Sequence, residues 1–437
     1  MAPDLSPEEI LSELIKINTT NPPGNEIKAA LFLKNLFDRA GIPNEIVEAA
    51  PGRASFLAFL GPAPPAARRL LYLSHLDVVP AGGSWSFDPF GGEIENGFVH
   101  GRGALDCKGM AAAQAAACLI LAREQERKPL RGTLIFAAVA DEEKGGRYGI
   151  RHLLRHHRAK IAADFVVNEG AEEPLNLGKE SVYFIQTGEK GLAWSTLRAR
   201  GTAAHGSLPS LGKNAVLAMA RAVKNLGDYQ PEVVLLPEVS KLLDTLARMK
   251  GWREPVTPAN LASFLAGWED RGFAATLHAM TRLTISPNVV RGGVKTNVVP
   301  DLCEVEVDIR VLPGQDRAYV FRELRRCVGT EIEIEMPNYR PPSFSPVASP
   351  YYDCIAAAIK EIGGGAAVTC LPMISPGATD SRFLREAGFP CYGVAVLAPD
   401  FPPELRTTIH GPDERIDIRS LHHFTRFFVT LARKYLG

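Results

Sequence analysis

Two kinds of excess are missing from this chain, and each absence removes a class of function. Lys plus Arg number 49 and Asp plus Glu number 49, so the formal net charge is zero. Without a basic excess there is no electrostatic footprint for nucleic acid or an anionic membrane. No stretch is apolar for long enough to span a bilayer. The seven cysteines (Cys107, Cys118, Cys303, Cys327, Cys354, Cys370, Cys391) are scattered and odd in number, with no Cys-x-x-Cys pair. They predict reduced, mostly buried thiols in a cytoplasmic protein. Residues 1–9 show no basic stretch followed by an apolar run, so no secretory signal is expected. Internal repeats and low-complexity segments are also lacking.

What is present suits a globular chain. Hydrophobic residues make up 46% and charged residues 22%, and 437 residues suffice for two domains or for one domain carrying an insertion. Ser6-Pro7-Glu8-Glu9 reads as a capping box opening a helix. A turn at 19–25, a second helix to about Gly41 and strands at 46–47 and 55–60 follow. Residues 61–65 read as a Pro-rich connector, 69–76 as a buried strand and 94–99 as a hairpin. Residues 108–123 form a helix of small residues, and strands at 132–140 and 163–167 flank a helix at 148–157. Strands alternating with helices, with polar residues at the strand ends, predict an α/β layered domain that binds ligands at those ends. The pattern changes near Gly188. Strand 192–200, helix 214–226, strands 282–285 and 302–311, helix 317–327 and strand 331–336 make a small α+β unit. Residues 228–281 read as a helical insertion within it. From Pro350 the α/β alternation returns, ending in a helix at 418–436. The expected organisation is a discontinuous domain, 1–187 and 339–437, with 188–338 inserted.

The chemistry gathers at strand ends. His75 and Asp77 lie two apart, so both point one way, and a carboxylate behind an imidazole can orient it toward a metal. Asp77 could equally cap a turn. Asp106, in Gly101-Arg102-Gly103-Ala104-Leu105-Asp106-Cys107-Lys108-Gly109, can N-cap the next helix or bridge two cations through its two oxygens. Glu142 and Glu143 follow an apolar strand and should point to opposite sides, one toward a metal and one toward a water. A solvated charge pair is the plainer reading. Glu169 ends the next strand, and His410 sits in a late loop. The run from Arg151 to Arg158 holds three histidines and reads as a solvated basic helix face.

These segments, together with Asn18 to Gly24, Gly377-Ala378-Thr379-Asp380-Ser381-Arg382 and His410-Gly411-Pro412-Asp413-Glu414, resemble the M20 family of metallopeptidases and amidohydrolases. Seven motifs in the family's order cover nearly the whole chain. The resemblance implies a mixed-sheet catalytic domain with helices on both faces and an inserted α+β lid that can pair subunits. It implies two zinc ions, with cobalt or manganese as substitutes: one on His75, Asp106 and Glu169, the other on Asp106, Glu143 and His410. Asp77 would orient His75, Glu142 would be the general base, and a cis peptide would follow Asp106. His205 would reach from the lid into a partner subunit's site, although by itself it reads as a loop residue. Asn297 and Arg310 would contact a substrate carboxylate, with Gly377 and Thr379 lining the same pocket. Without the family, Arg310 is an ordinary strand-end arginine; Cys107 matches a variable position and gets no role.

The large insertion and Gly293 to Pro300 look closest to the carboxypeptidase S and N-acyl-amino-acid hydrolase branch. The expected activity is hydrolysis of an amide beside a free carboxylate, in an N-acyl amino acid or a small peptide. The alternatives are a biosynthetic deacylase of the acetylornithine or succinyl-diaminopimelate type, and a catalytically silent binding homologue. All six ligand and base positions are filled, which argues against the last.

Overall fold

The computed structural model describes residues 5–62, 68–363 and 367–437; residues 63–65 of the connector lie outside them. The chain divides into two compact units. The first comprises Met1–Thr187, Phe344–Met373 and Thr379–Gly437, and the second Gly188–Ser343 and Ile374–Ala378. The second unit reaches past residue 338 because the strand Ile332–Arg340 continues to pair with Gly191–Arg200, with Arg340 opposite Leu192. Among the described residues, no helix is long and apolar enough to cross a membrane.

In the first unit, the strands Asn44–Ala50, Arg53–Leu60, Thr133–Val139, Arg69–His75, Phe165–Asn168, Cys391–Val394 and Glu180–Glu189 follow one another across a mixed sheet. The middle four run parallel and the outer pairings are antiparallel. Side chains of a strand alternate between faces. Leu70, Tyr72, Phe136 and Val167 therefore join Leu11, Phe37 and Phe428 on one side. Leu71, Leu73, Ile135 and Val166 join Ile150, Leu153 and Leu384 on the other. Helices thus cover both faces of an α/β sheet. The parallel register sets Ser74 beside Ala138 and Tyr72 beside Val167. Three strands consequently end together, and His75, the Glu142–Glu143 segment and Glu169 leave the sheet at one edge.

Helix Pro7–Lys16 carries the expected capping box, with Ser6 and Glu9 bonding each other's backbone. Helix Lys108–Arg123 is buried along most of its length, since alanines let it lie close to its neighbours. Its first residue ties the two helices together. Lys108 Nζ donates to the carbonyls of Leu14 and Ile17 at 2.9 and 2.8 Å, at the C-terminal end of the first helix. Burial pushes this amine down to about 7.

The second unit holds a four-stranded antiparallel sheet in the order Thr284–Gly292, Leu302–Val311, Gly191–Arg200, Ile332–Arg340. Helices Ala215–Asp228 and Arg317–Val328 cover one face through Met219, Leu226, Val320 and Leu324. The insertion forms helices Pro237–Met249, Leu261–Ala266 and Arg271–Met280.

Two strands depart from expectation. Glu180–Glu189 was not foreseen, because burial on both faces removes the alternation that marks a half-exposed strand. The run Val182-Tyr183-Phe184-Ile185 was the available signal. Thr284–Gly292 continues past Pro287, where a break is expected. The register shifts between Pro287 and Val289, and the strand lies at the sheet's edge, where proline is tolerated.

One glycine tests how tightly the site edge is built. Gly149 opens the helix Ile150–His156, and a Cβ there would lie 1.8 Å from the Ala140 carbonyl oxygen. Gly149→Ala is expected to cost about 3 kcal/mol, read as a lower urea midpoint. An unchanged midpoint would show that the helix start is not pressed against that carbonyl.

Candidate metal centre

His75 is the last residue of its strand and is 1% exposed. Its Nδ1 lies 2.8 Å from the main-chain carbonyl of Asp77, so Nδ1 donates and Nε2 is left to face the site. Nε2 lies 2.9 Å from Asp106 Oδ1 and 3.5 Å from Glu169 Oε1. On the other side, His410 Nε2 lies 2.9 Å from Asp106 Oδ2 and 3.4 Å from Glu143 Oε1. Five side chains therefore form two triplets that share one carboxylate. Asp106 does not cap the helix behind it. Cys107 holds that position without a side-chain bond, and the Asp106–Cys107 peptide is cis.

The Asp77 carboxylate pairs with His75, its Oδ1 3.6 Å from Nδ1. It is fully buried and is occupied by N–H groups: Glu142 at 3.1 Å, Glu143 at 3.2 Å and Asn21 Nδ2 at 2.8 Å. Asp77 orients His75 through its carbonyl and holds the acidic pair through its side chain. One expectation about this edge changes: Glu142 and Glu143 do not lie on a strand. The strand stops at Val139, Asp141 turns the backbone left-handed at φ 70°, and Glu142–Lys144 is a single 3₁₀ turn. Aspartate tolerates that conformation when local bonds hold it. Here its carboxylate accepts from Arg53 at 2.9 Å, Asn21 at 3.1 Å and the Tyr148 N–H at 3.1 Å.

A second buried carboxylate escaped the sequence reading. Glu414 accepts from Arg102 at 2.6 Å and from the N–H groups of Gly103, Leu105 and Asp106 at 3.0, 2.8 and 3.1 Å. It thereby ties the Gly-rich turn bearing Asp106 to the loop bearing His410. Its position four residues after His410, and Arg102 within the Gly-rich motif, were the signals available.

The charges balance locally. Burial opposes charge on His75, yet Glu169, Cys107, Asp106 and Asp77 together hold its pKa well above the usual range. Bonds to Asp106 and Glu143 push His410 up to about 10. Burial works to raise Asp106, but His410 and His75 hold it below the ordinary carboxylate range. A metal held here would take the place of any proton on the imidazole nitrogens that face it. The donor set fits divalent cations. His75, Asp106 and Glu143 present ligand atoms within 4.8 Å of one another, as do His75, Cys107 and Glu169. Glu143 Oε1 is buried, and among the described residues its polar neighbour is the His410 imidazole at 3.4 Å, too long for a good hydrogen bond.

The remaining predicted residues sit as follows. Thr379, in the first unit, accepts from the Ser381 N–H at 3.1 Å and from Asn168, the neighbour of Glu169, at 3.4 Å. In the second unit, the Gly206 N–H donates to the Asn297 carbonyl at 2.8 Å and brings Asn297 beside His205. His205 is exposed, with Nδ1 2.7 Å from Ser207 Oγ. Arg310 pairs with Asp308 at 2.7 and 3.1 Å, a partner two residues away on the same strand face. Gly377 also belongs to the second unit, its N–H donating to Ser375 Oγ.

Two substitutions test these roles. Asp77→Asn is expected to lower metal affinity or turnover about 10–100-fold with the fold retained, read by metal titration; wild-type affinity would remove Asp77 from support of the centre. Asp380 is buried, and among the described residues neither of its carboxyl oxygens makes a hydrogen bond. Burial pushes its pKa well up, so ionisation opposes folding as pH rises through the unfolded value near 4. Asp380→Asn is expected to raise the urea midpoint at pH 7 and leave it nearly unchanged at about pH 3.5. A loss at pH 7 would reveal a favourable partner for the ionised group.

Comparison with known proteins supplies the family. The model of peptidase family M20/M25/M40 matches residues 71–434. A probable succinyl-diaminopimelate desuccinylase of Staphylococcus aureus is 26% identical over 438 residues, covering 98% of this chain and 97% of that one. Aminoacylase-1B of Rattus norvegicus is 26% identical over 440 residues, covering 97% and 94%. The crystal structure of an M20 family metallo-carboxypeptidase from Sulfolobus solfataricus superposes with a TM-score of 0.73 at 22% identity, covering 99% of each chain. With the family model spanning most of its length, this chain belongs to peptidase family M20/M25/M40, a family of metal-dependent hydrolases.

Proposed function

We propose that the protein is a dinuclear zinc amidohydrolase that cleaves an amide beside a free carboxylate, in an N-acyl amino acid or at the C-terminus of a small peptide. The sharing of Asp106 between two imidazole–glutamate pairs, 2.9 Å from each imidazole, carries this reading. His75, Asp106 and Glu169 hold one cation, and His410, Asp106 and Glu143 hold the other. Imidazole and carboxylate donors suit zinc and also accept cobalt or manganese. Held by these residues, the cations would supply an acidified water and a polarising charge for a carbonyl oxygen.

Glu142 is the general base. Burial, then repulsion from Glu169, pushes its pKa well up, so it is a strong proton acceptor when ionised. Asp77 fixes the backbone from which its carboxylate projects, at 3.1 Å from the Glu142 N–H. Glu142 takes a proton from the attacking water and returns it to the leaving nitrogen. His205 donates to the carbonyl oxygen as charge develops, entering from a neighbouring copy of the chain. A homodimer through residues 188–338 draws support from the edge strand Thr284–Gly292 and the adjacent helix. Val290 is 60% exposed there and Leu217 58%. Asn297 and Arg310 bind the substrate carboxylate, Arg310 by its planar fork, and Gly377 and Thr379 are further substrate-binding residues.

A cavity of about 180 Å³ adjoins Asp106 and Glu169, walled by Met110, Val394, Leu397, Ile416 and Phe424. It is close to the size that accommodates a benzene ring, about 150 Å³, and favours substrates with an apolar acyl or side chain. The likeness to the desuccinylase favours a second reading, removal of a short dicarboxylic acyl group, for which that apolar wall is a poor match.

Metal-loaded protein is expected to hydrolyse N-acyl amino acids with apolar groups faster than acetylornithine or succinyl-diaminopimelate. The reverse order would support the second reading, and no turnover of any of them would sink both. Glu142→Ala is expected to cut turnover at least ~100-fold at unchanged metal content. His205→Ala is expected to slow turnover without loss of metal, and a normal rate would remove His205 from the site.

A further inference from the structure

The basic helix read from sequence as a solvated face lines a concavity. Arg147, Tyr148, Arg151, His152, Arg155 and His156, together with Ala49, enclose a groove of about 620 Å³, within the range of small-ligand pockets. No carboxylate is among the lining residues. In a chain of zero net charge, five groups able to carry positive charge thus face one space.

None of the three guanidiniums makes an ion pair or a side-chain hydrogen bond among the described residues. Arginines elsewhere do: Arg198 pairs with Glu304 and Glu335, and Arg406 with Glu172 and Glu173. Ala49 brings the strand Asn44–Ala50 to the groove, but that strand's carboxylates are engaged. Glu45 bonds Lys160 at 2.6 Å and Glu48 bonds the Gly52 N–H at 2.8 Å. Arg147 lies over the Tyr148 ring at 5.3 Å and Arg151 over the Phe383 ring at 5.4 Å. Stacking on a ring restrains the guanidinium plane while leaving its N–H edges free for an acceptor.

Two ligand classes compete for such a groove. His152 and His156 lie one helical turn apart with ring centroids at 4.7 Å, and His157 is 5.6 Å from His152. That spacing can chelate a metal cation, but three guanidiniums in the same space repel one. An anion meets no such opposition, and neutral imidazoles still offer it an N–H donor. Arg151 and Arg155 are spaced about 6 Å along the helix, which suits two phosphoryl groups of one molecule. Three guanidiniums line the groove, too few for the many phosphate contacts that hold a nucleic acid.

We propose that this groove binds a small polyphosphate anion, with the Arg151 and Arg155 guanidiniums gripping its phosphoryl groups and Arg147 closing one end. The site is separate from the proposed hydrolytic centre and does not depend on that reading.

Calorimetric titration of the metal-loaded protein with tripolyphosphate, at pH 7 and low salt, tests it. Saturable binding is expected, weakened at least ~100-fold in the Arg151→Glu/Arg155→Glu variant, whose exposed positions leave the fold intact by circular dichroism. Arg147→Gln is expected to weaken it ~10-fold. Glu143→Gln, at the metal centre, is expected to leave it unchanged. Citrate at matched ionic strength is expected to bind at least ~10-fold more weakly, since carboxylates carry less charge per group than phosphates. Absence of saturable binding would overturn the proposal. So would equal affinity in the double arginine variant, loss of binding in Glu143→Gln, or citrate binding as tightly as tripolyphosphate.

Discussion

Two carboxylates taken entirely out of water hold the loops on which the metal centre depends. Asp77 receives the N–H groups of Glu142 and Glu143 together with the Asn21 amide. Glu414 receives Arg102 and three N–H groups of the turn that presents Asp106. A buried carboxylate left without donors would be strongly unfavourable, so each is stable only while its loop keeps this one shape. The outward-facing acids and imidazoles inherit their positions from these inward-facing ones. A ligand set spread over five segments and more than 330 residues of chain is thereby gathered within a few ångströms.

The sheet supplies the other half of that ordering. Parallel pairing in register brings three strands to an end together, and polar residues that follow them must share one edge. Each feature depends on the other. The strand ends bring the loops near, and the buried carboxylates decide which atoms face the space between them. The left-handed backbone at Asp141 fits the same logic, because its own side chain is bonded on both sides of the turn.

Much of this was legible in the chain. The helices 108–123 and 418–436 and the strand 302–311 run to the residues expected, since small-residue composition, an apolar stripe and strict alternation mark them. The distances that group imidazoles and glutamates around Asp106 come from the fold, and spacing alone left a helix cap as a rival. The strand Glu180–Glu189 was missed because burial on both faces erases periodicity. Glu142 and Glu143 were assigned to the wrong local geometry, since a left-handed aspartate leaves no mark in hydrophobic pattern.

The sequence by itself determined which residue types stand at strand ends, the α/β alternation, and the absence of a charge excess. Those follow from local composition and spacing, which any segment carries with it. Tertiary structure alone decided which oxygen of Asp106 meets which imidazole, and that Asp77 serves the acidic pair with its side chain. It also decided that Arg310 already has a carboxylate partner and that a basic helix faces a groove with no acid in it. Such facts depend on which groups are left unpaired after the chain has packed, and a buried charge takes its partner from whatever segment the fold brings near.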